Sequence, residues 1–104
     1  MDGIIEKISL SAESRGDYAL DYSDLYSDVI VRFSNGEAYV ATFFSVRNLE
    51  GMLAESRVAL EDNDEPFYKI LNAVLVDNMQ KSTLLPVIEH MIVEGDFQVV
   101  FRKI

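Results

Sequence analysis

Apolar and polar residues alternate with a period of two over three segments of the first half of the chain, the pattern typical of half-buried strands. These segments are 4–10, 28–34 and 37–44. In the first segment, the residues expected to share one face are Ile4, Glu6, Ile8 and Leu10. The pattern therefore predicts three strands in this half of the chain.

The strongest local signal is the dipeptide Asn35-Gly36, which separates the second segment from the third. Both residues tolerate the positive φ that a two-residue type I′ hairpin turn requires. A two-residue turn also fixes the register of the two strands. The expected cross-strand pairs are Phe33–Ala38, Val31–Val40 and Val29–Thr42, all on the core face with Phe44 beyond them.

After the third strand the apolar residues recur every three or four positions, from about 46 to 56, which predicts an amphipathic helix. Ser45 is a suitable N-cap for it, because a serine hydroxyl can accept an unpaired backbone N–H of the first turn. The expected apolar stripe consists of Val46, Leu49, Met52 and Leu53.

A second helix is predicted from Thr83, as its N-cap, to about Glu94. This start would place Pro86 in the first turn, where a missing N–H leaves no hydrogen bond unmade. Gly95 is expected to end the helix in a left-handed conformation. The expected apolar face consists of Leu84, Ile88, Met91 and Ile92.

Two further segments complete the predicted elements. The stretch 67–77 favours a strand over about 72–77, but a helix is the alternative, since some of its apolar residues also match helical spacing. Those residues are Phe67, Ile70, Leu71 and Val74. Residues 96–102 alternate and predict a last strand, with Phe97, Val99 and Phe101 pointing inward.

The predicted order of elements is β-β-β-α-β-α-β. Hairpin-connected strands interspersed with helices are typical of α+β domains built from two layers. We therefore expect a two-layer α+β sandwich, with two helices packed on a mainly antiparallel sheet of about five strands. The length of 104 residues fits one domain, 1–104.

Composition excludes several classes of protein. The chain has no cysteine, and therefore no disulfide framework, thiolate nucleophile or thiolate metal site. Residues 1–7 lack the basic and apolar regions of a signal peptide, and no apolar run approaches the roughly 20 residues of a membrane helix. We expect a cytoplasmic protein with no membrane contact.

The net charge of −9 comes mostly from two short segments. Residues 11–28 hold five acids and one base, and residues 61–65 read Glu-Asp-Asn-Asp-Glu, so each segment carries −4. This balance disfavours direct nucleic-acid binding, which needs clustered Lys and Arg, and it favours a basic protein partner. The alternative is that both segments are solvated loops that keep the protein soluble.

Few residues could carry catalysis. His90 is the only histidine, and it falls on the polar side of the second predicted helix, one turn from Glu94. There is no Gly-x-Ser-x-Gly nucleophile motif and no phosphate-binding loop. Asp62-Asn63-Asp64 departs from a calcium loop, because Phe67 stands at the position of its invariant glycine. We expect no cofactor and no metal site, and we expect His90 to be dispensable.

The segment 17–28 is the most informative for function, since it holds three of the five tyrosines and four aspartates. Tyrosine is enriched in interface hot spots, and neighbouring aspartates suit a cationic partner. The predicted partner-binding residues are Asp17, Tyr18, Asp21, Tyr22, Asp24 and Tyr26. In the alternative interpretation the tyrosines cap the sheet with their hydroxyls in water. The spacing fits either a short helix or an extended segment.

Two stretches of the chain resemble a group of small uncharacterised bacterial proteins. Residues 31–44 share their Gly-Glu turn, tyrosine and Thr-Phe-Phe ending, and residues 87–97 are similar to their closing helix and strand. The resemblance implies a small α+β fold and transfers no functional residue. In size and acidity the chain is also similar to immunity proteins, which neutralise bacterial toxins.

Together these observations favour a non-enzymatic acidic binding module, in concrete form an immunity or antitoxin-like inhibitor of a basic protein. Toxic nucleases carry basic clefts, and opposite charge speeds the encounter of two proteins. The alternative is a small structural or self-associating domain that forms a homodimer through an exposed sheet. An enzyme is disfavoured, because no spacing assembles a nucleophile, a base and an orienting group.

Overall fold

A computed structural model describes residues 3–14, 20–59 and 73–104. Its strands are β1 (Ile5–Leu10), β2 (Tyr26–Phe33), β3 (Ala38–Ser45), β4 (Ala73–Val76) and β5 (Arg102–Lys103). Its helices are α1 (Val46–Ala59), α2 (Lys81–Glu94) and the single turn α3 (Phe97–Val100), with a 3-10 turn at Ser11–Ser14. The expected α+β class is confirmed, and the order of elements roughly matches the prediction.

The strands form one sheet in the order β1-β2-β3-β4, and β5 pairs with β3. The pairs β1–β2, β2–β3 and β3–β5 are antiparallel. β4 is the exception and runs parallel to β3, because the chain crosses over through α1 between them. Since β2 occupies one edge of β3, β4 and β5 share the other edge, one beyond the other.

The hairpin turn lies where the sequence predicts it, but the predicted register is wrong by one residue. Arg32, not Phe33, lies opposite Ala38. The turn closes over three residues instead of two: the N–H of Gly36 donates to the carbonyl of Phe33 (3.0 Å), and the N–H of Phe33 donates to the carbonyl of Glu37 (2.9 Å). Gly36 has φ 90°, as in a type I turn followed by a left-handed bulge residue.

The side chain of Asn35 helps to hold this longer turn. Its Oδ1 accepts the N–H of Glu37 at 3.0 Å, and its Nδ2 donates to Glu37 Oε1 at 2.7 Å. Glu37 Oε2 in turn accepts the hydroxyl of Tyr39 at 3.1 Å and pairs with Lys103 Nζ at 2.8 Å. The contacts of Glu37 thus connect the turn to β3 and β5.

The register change decides which residues of β3 face the main core. Because a slip of one residue turns every side chain to the opposite face, the core holds Tyr39, Ala41 and Phe43 instead of the residues between them. Val31 lies opposite Tyr39, and Val29 opposite Ala41. The second face of the sheet, which bears the buried residues Ala38, Val40 and Phe44, is therefore not the core face that the sequence predicts.

The main core lies between the sheet and α2 with α3. Leu84 and Ile88 of α2 are fully buried in it, as predicted, and Met91 is buried beside them. The rings of Phe97 and Phe101 stack with their centroids 4.3 Å apart. Phe97 also meets Tyr39 and Phe33 edge-on, an arrangement that suits the opposite charges of ring face and edge. The described side chains of α1 lie outside this cluster.

The predicted face of the first strand is only half right. Ile8 and Leu10 are buried, whereas Ile4 and Glu6 are exposed. A bulge between Ile5 and Lys7 explains the difference, because one extra residue reverses the alternation and turns Ile5 toward the core.

Ser45 is confirmed as the N-cap of α1. Its fully buried Oγ accepts the N–H of Asn48 at 3.3 Å and also the N–H of Leu25 at 3.1 Å. The helix runs to Ala59, three residues beyond the predicted end. Of the predicted stripe, Leu49 and Met52 are half-buried and Val46 is exposed. The side chain of Leu53 lies outside the described part of the structure.

α2 begins at Lys81, so the predicted N-cap Thr83 is wrong and Pro86 lies inside the helix instead of in its first turn. Gln80 is the residue before the helix, and its backbone carbonyl accepts the N–H of Thr83 at 2.9 Å. The other end is confirmed: Gly95 has φ 83°, and its N–H bonds to the carbonyl of Ile92. The N–H of Asp96 bonds to the carbonyl of Met91, which completes a Schellman motif.

The predicted last strand is mostly a turn of helix. The N–H of Phe101 donates to the carbonyl of Phe97 at 2.8 Å, and this i to i−4 bond brings both rings to the core. Val99, predicted to point inward, is 78% exposed. Strand geometry resumes only at Arg102. The strand favoured over 72–77 is confirmed as β4, while residues 67–72 of the helical alternative and the acidic segment 61–65 lie outside the described residues.

Candidate functional site

The predicted partner segment leads from the 3-10 turn into β2. Asp17 and Tyr18 lie outside the described residues. Asp21, Tyr22 and Asp24 belong to a turn, in which the N–H of Asp24 donates to the carbonyl of Asp21 at 3.0 Å. Tyr26 begins β2. The described part is thus a turn followed by extended chain. Tyr22 in the turn and Tyr26 in the strand have different surroundings.

Both the side chain and the backbone of Tyr22 make hydrogen bonds inside the fold. It is half-buried against the core, and its hydroxyl donates to Glu13 Oε2 at 3.0 Å. Its carbonyl accepts the N–H of Met79 at 2.7 Å. Glu13 Oε1 accepts the N–H of Leu10 at 3.1 Å and pairs with Lys81 Nζ at 3.3 Å. One carboxylate therefore connects β1, the segment and the start of α2.

The pKa values of this cluster reflect its hydrogen bonds. Partial burial works to raise the pKa of Glu13. The hydrogen bonds from the Leu10 N–H, the Tyr22 hydroxyl and the Lys81 ammonium outweigh it, and they hold the pKa below the ordinary value of 4.5. The bond to the Glu13 carboxylate raises the pKa of Tyr22 above its ordinary value of 10.0. Both pKa shifts therefore reflect hydrogen bonds that are made inside the fold.

Asp21 is more exposed. Its Oδ1 accepts the backbone N–H of Ser23 at 3.0 Å and the Ser23 hydroxyl at 2.5 Å, and its Oδ2 lies 3.9 Å from Arg47 Nη1. The hydrogen bonds from Ser23, more than the guanidinium, lower the pKa of Asp21. The Asp21 and Arg47 side chains keep 60% and 67% of their surface in solvent. The carboxylate is thus charged and reachable.

Asp24 connects the turn to α1. Its Oδ1 accepts the Nδ2 of Asn48 at 3.0 Å, and the backbone N–H of Asn48 is itself capped by Ser45. The Asp24 side chain is exposed. The cap at Ser45 and the hydrogen bond from Asn48 therefore hold an exposed carboxylate in a defined position.

Tyr26 is the predicted tyrosine that the structure leaves accessible, with 46% of its surface exposed. It lies opposite Phe44 on the second face of the sheet, with ring centroids 6.2 Å apart. Leu75 of β4, 49% exposed, lies opposite Phe44 on the other side. Tyr26, Phe44 and Leu75 thus form a row across three strands, in which the two outer side chains are about half exposed and Phe44 between them is buried.

Asp28 stands two residues from Tyr26 on the same face of β2. Its Oδ1 accepts the hydroxyl of Thr42 at 2.9 Å, and the side chain is exposed. Asp28 also lines a cavity of about 710 Å³, whose lining includes the basic residues Arg102 and Lys103. Asp28 was not among the predicted site residues, although its place in the acidic segment pointed to it. No local pattern pointed to Leu75, which only the sheet register brings here.

The described residues were also compared with the requirements of a metal site and of a membrane helix. Within the described ranges, no group of three or more His, Cys, Asp or Glu side chains could hold a metal ion. In the same ranges, no helix is long and apolar enough to cross a membrane. His90 is exposed on α2, as the sequence predicts, and the exposed Glu89 and Glu94 lie on the same helix.

Comparison with protein-family models, with curated proteins and with solved structures finds no match to this chain. We call the exposed groups Asp21, Asp24, Tyr26 and Asp28 the acidic tyrosine surface.

Proposed function

We propose that this chain is a non-enzymatic binding module that holds a basic protein partner at the acidic tyrosine surface, in the manner of an immunity protein or antitoxin. The observation that carries the proposal is the position of Tyr26. A half-exposed aromatic ring lies beside a buried phenylalanine, and the carboxylates two residues before and after it, those of Asp24 and Asp28, are each held by a hydrogen bond.

The apolar part of the surface supplies an anchor. Interface hot spots are enriched in tyrosine, and they work best where neighbouring groups exclude water. Tyr26 is in a regular strand and needs little ordering on binding, which reduces the entropy cost of association.

The carboxylates supply selection by charge. Asp21, Asp24 and Asp28 are all exposed, and the whole chain carries −9. A field of this sign speeds the encounter with a basic protein and opposes the approach of an acidic one. A basic cleft, such as that of a toxic nuclease, has the matching charge. An inhibitor that covers such a cleft needs no catalytic group of its own.

The experiment uses the native partner, isolated by pull-down and identified, and two double variants with the same net charge. In Asp24→Asn/Asp28→Asn both changes lie on the acidic tyrosine surface. In Glu89→Gln/Glu94→Gln both lie on α2. We expect the first pair to slow association about fivefold or more at low salt, and the second pair to change it less than twofold.

Salt supplies the second readout. The difference between the two double variants should shrink when the ionic strength rises toward about 0.5 M, because the screening length then falls to a few ångströms. Equal effects from both pairs, or no effect from the first, would show that binding does not use this surface.

A further inference from the structure

β1 and β4, two of the outer strands of the described sheet, are built differently. β1 carries a bulge between Ile5 and Lys7, and the charged side chains of Glu6 and Lys7 are exposed on it. Bulges and charges are the devices by which proteins keep an outer strand from pairing with another chain. β4 reads Ala-Val-Leu-Val and has neither device, and no strand within the described ranges pairs with its outer side.

The backbone groups on the outer side of β4 follow from the ladder. The N–H of Phe33 bonds to Glu37, so the odd-numbered residues of β3 point their backbone groups toward β2, and the even-numbered residues point the other way. Phe44 lies opposite Leu75 in the parallel pair and therefore bonds to the residues on either side of Leu75. The N–H and C=O of Leu75 and of Ala73 point outward.

Apolar surface accompanies this edge on both faces of the sheet. On the second face Leu75 is half exposed. A groove of about 590 Å³ also runs between β4 and the helices, and its lining is mostly apolar, with Val74, Pro86, Val87 and Val99 beside the polar residues His90 and Asp96. An added strand would find backbone donors and acceptors at the edge and apolar contacts above and below.

We infer that β4 pairs antiparallel with β4 of a second copy of this chain, with Leu75 opposite Leu75. A twofold axis perpendicular to the sheet pairs the strand with its own copy, so that one residue lies opposite the same residue of the second chain. Centring the axis on Leu75 lets the two Leu75 residues exchange both backbone hydrogen bonds. It also sets Ala73 opposite Asp77, and the backbone groups of both residues point outward.

The side chains also suit a copy of the same strand. In this register Val74 lies opposite Val76 on the helix side, and the two Leu75 side chains meet on the second face. Asp77 lies opposite Ala73 and not opposite its own copy, so the pairing sets no like charges directly against each other.

The interface is small. Four strand residues and the rim of one groove lie at the low end of specific interfaces, so we expect a dimer with a Kd of about 10 µM or weaker. Each copy carries −9, and salt should therefore strengthen the dimer by screening the repulsion. This salt response is opposite in sign to that of the acidic tyrosine surface with a basic partner.

Sedimentation velocity of the full chain, over a range of concentrations up to about 500 µM, tests the pairing. We expect a concentration-dependent dimer that becomes more populated between about 0.05 and 0.5 M NaCl. Leu75→Lys, which gives β4 the charge that β1 carries, should weaken the dimer at least tenfold. The matched control is Val93→Lys, at a residue that is 82% exposed on α2, and it should leave the dimer unchanged.

A second variant separates pairing from folding. Leu75→Pro removes an N–H that points outward, so it should abolish the dimer while the ladder to β3 stays intact, which circular dichroism and a thermal melt verify. A wild-type chain that stays monomeric throughout would overturn the inference. So would a dimer that survives both Leu75 variants.

Discussion

Tyr22 and Tyr26 lie four residues apart in one acidic segment, yet the fold uses them in opposite ways. The hydroxyl of Tyr22 is bonded to Glu13, and its ring packs on the core. Tyr26 lies across Phe44 on the second face, with its ring half exposed. The chain passes from the turn into β2 between them, so the same residue type serves stability on one side and offers contact surface on the other.

The same contrast holds for the carboxylates. Glu13 satisfies three hydrogen-bonding groups of its own chain, whereas Asp28 has a single side-chain partner and faces solvent. A group whose hydrogen-bonding capacity is used inside the fold has little left for a partner.

The largest expected effect is that of Tyr22→Ala. Removing a ring that packs on the core leaves a cavity and frees the Glu13 carboxylate from one donor, so we expect the Tm to fall by roughly 10 °C. Calorimetry measures it. A Tm within about 2 °C of wild type would show that Tyr22 is not a structural residue.

The next effect is that of Glu13→Gln, which should lower the Tm by about 5 °C at neutral pH. Because the folded state lowers the pKa of Glu13, the carboxylate contributes stability above its ordinary value of 4.5. That contribution is lost as the pH falls through the folded pKa. The difference in Tm between wild type and Glu13→Gln should therefore be constant above about pH 5 and shrink below it. A constant difference down to about pH 3 would contradict this account.

A smaller effect is expected from Tyr26→Ala. The ring contributes one cross-strand aromatic contact at a half-exposed position, so the Tm should fall by no more than about 4 °C. Thermal melts of Tyr26→Ala and Tyr22→Ala side by side give the most direct stability comparison. A loss at Tyr26 as large as that at Tyr22 would remove the distinction between the two residues.

The smallest effect is expected at His90, which belongs to neither region. His90→Gln should change the free energy of unfolding by no more than about 0.5 kcal/mol, as for other exposed helix positions. Denaturant unfolding measures it, and partner binding should be unaltered. A loss of binding in this variant would place a functional surface on α2.

The sequence could identify the elements better than their alignment. The turn at Asn35-Gly36 was predictable, but two-residue and three-residue turns both accept a glycine there, and only the hydrogen bonds of Phe33 distinguish them. The one extra residue in the turn decides the register of β3, and therefore that Phe44 lies opposite Tyr26. Likewise, Phe97 and Phe101 fit both a strand and a helical turn, because residues four apart share a face in either.

The candidate site was predictable only in part. Local composition pointed to Tyr26 and Asp24, because tyrosine and aspartate cluster in that segment. It could not separate Tyr26 from Tyr22, since the difference depends on Glu13 in the preceding turn. Leu75 lies in one row with Phe44 and Tyr26 only through pairing between strands that are about thirty residues apart in the chain, and no local pattern contains that information.

The most direct test of the account is the dissociation rate of the native partner from two tyrosine variants, measured by surface plasmon resonance. Tyr26→Ala removes the exposed ring, and Tyr22→Phe removes only the hydroxyl that bonds to Glu13. We expect Tyr26→Ala to raise the dissociation rate about tenfold or more and Tyr22→Phe to leave it within about twofold of wild type. If Tyr26→Ala melts close to wild type and releases the partner at the wild-type rate, the acidic tyrosine surface does not bind it.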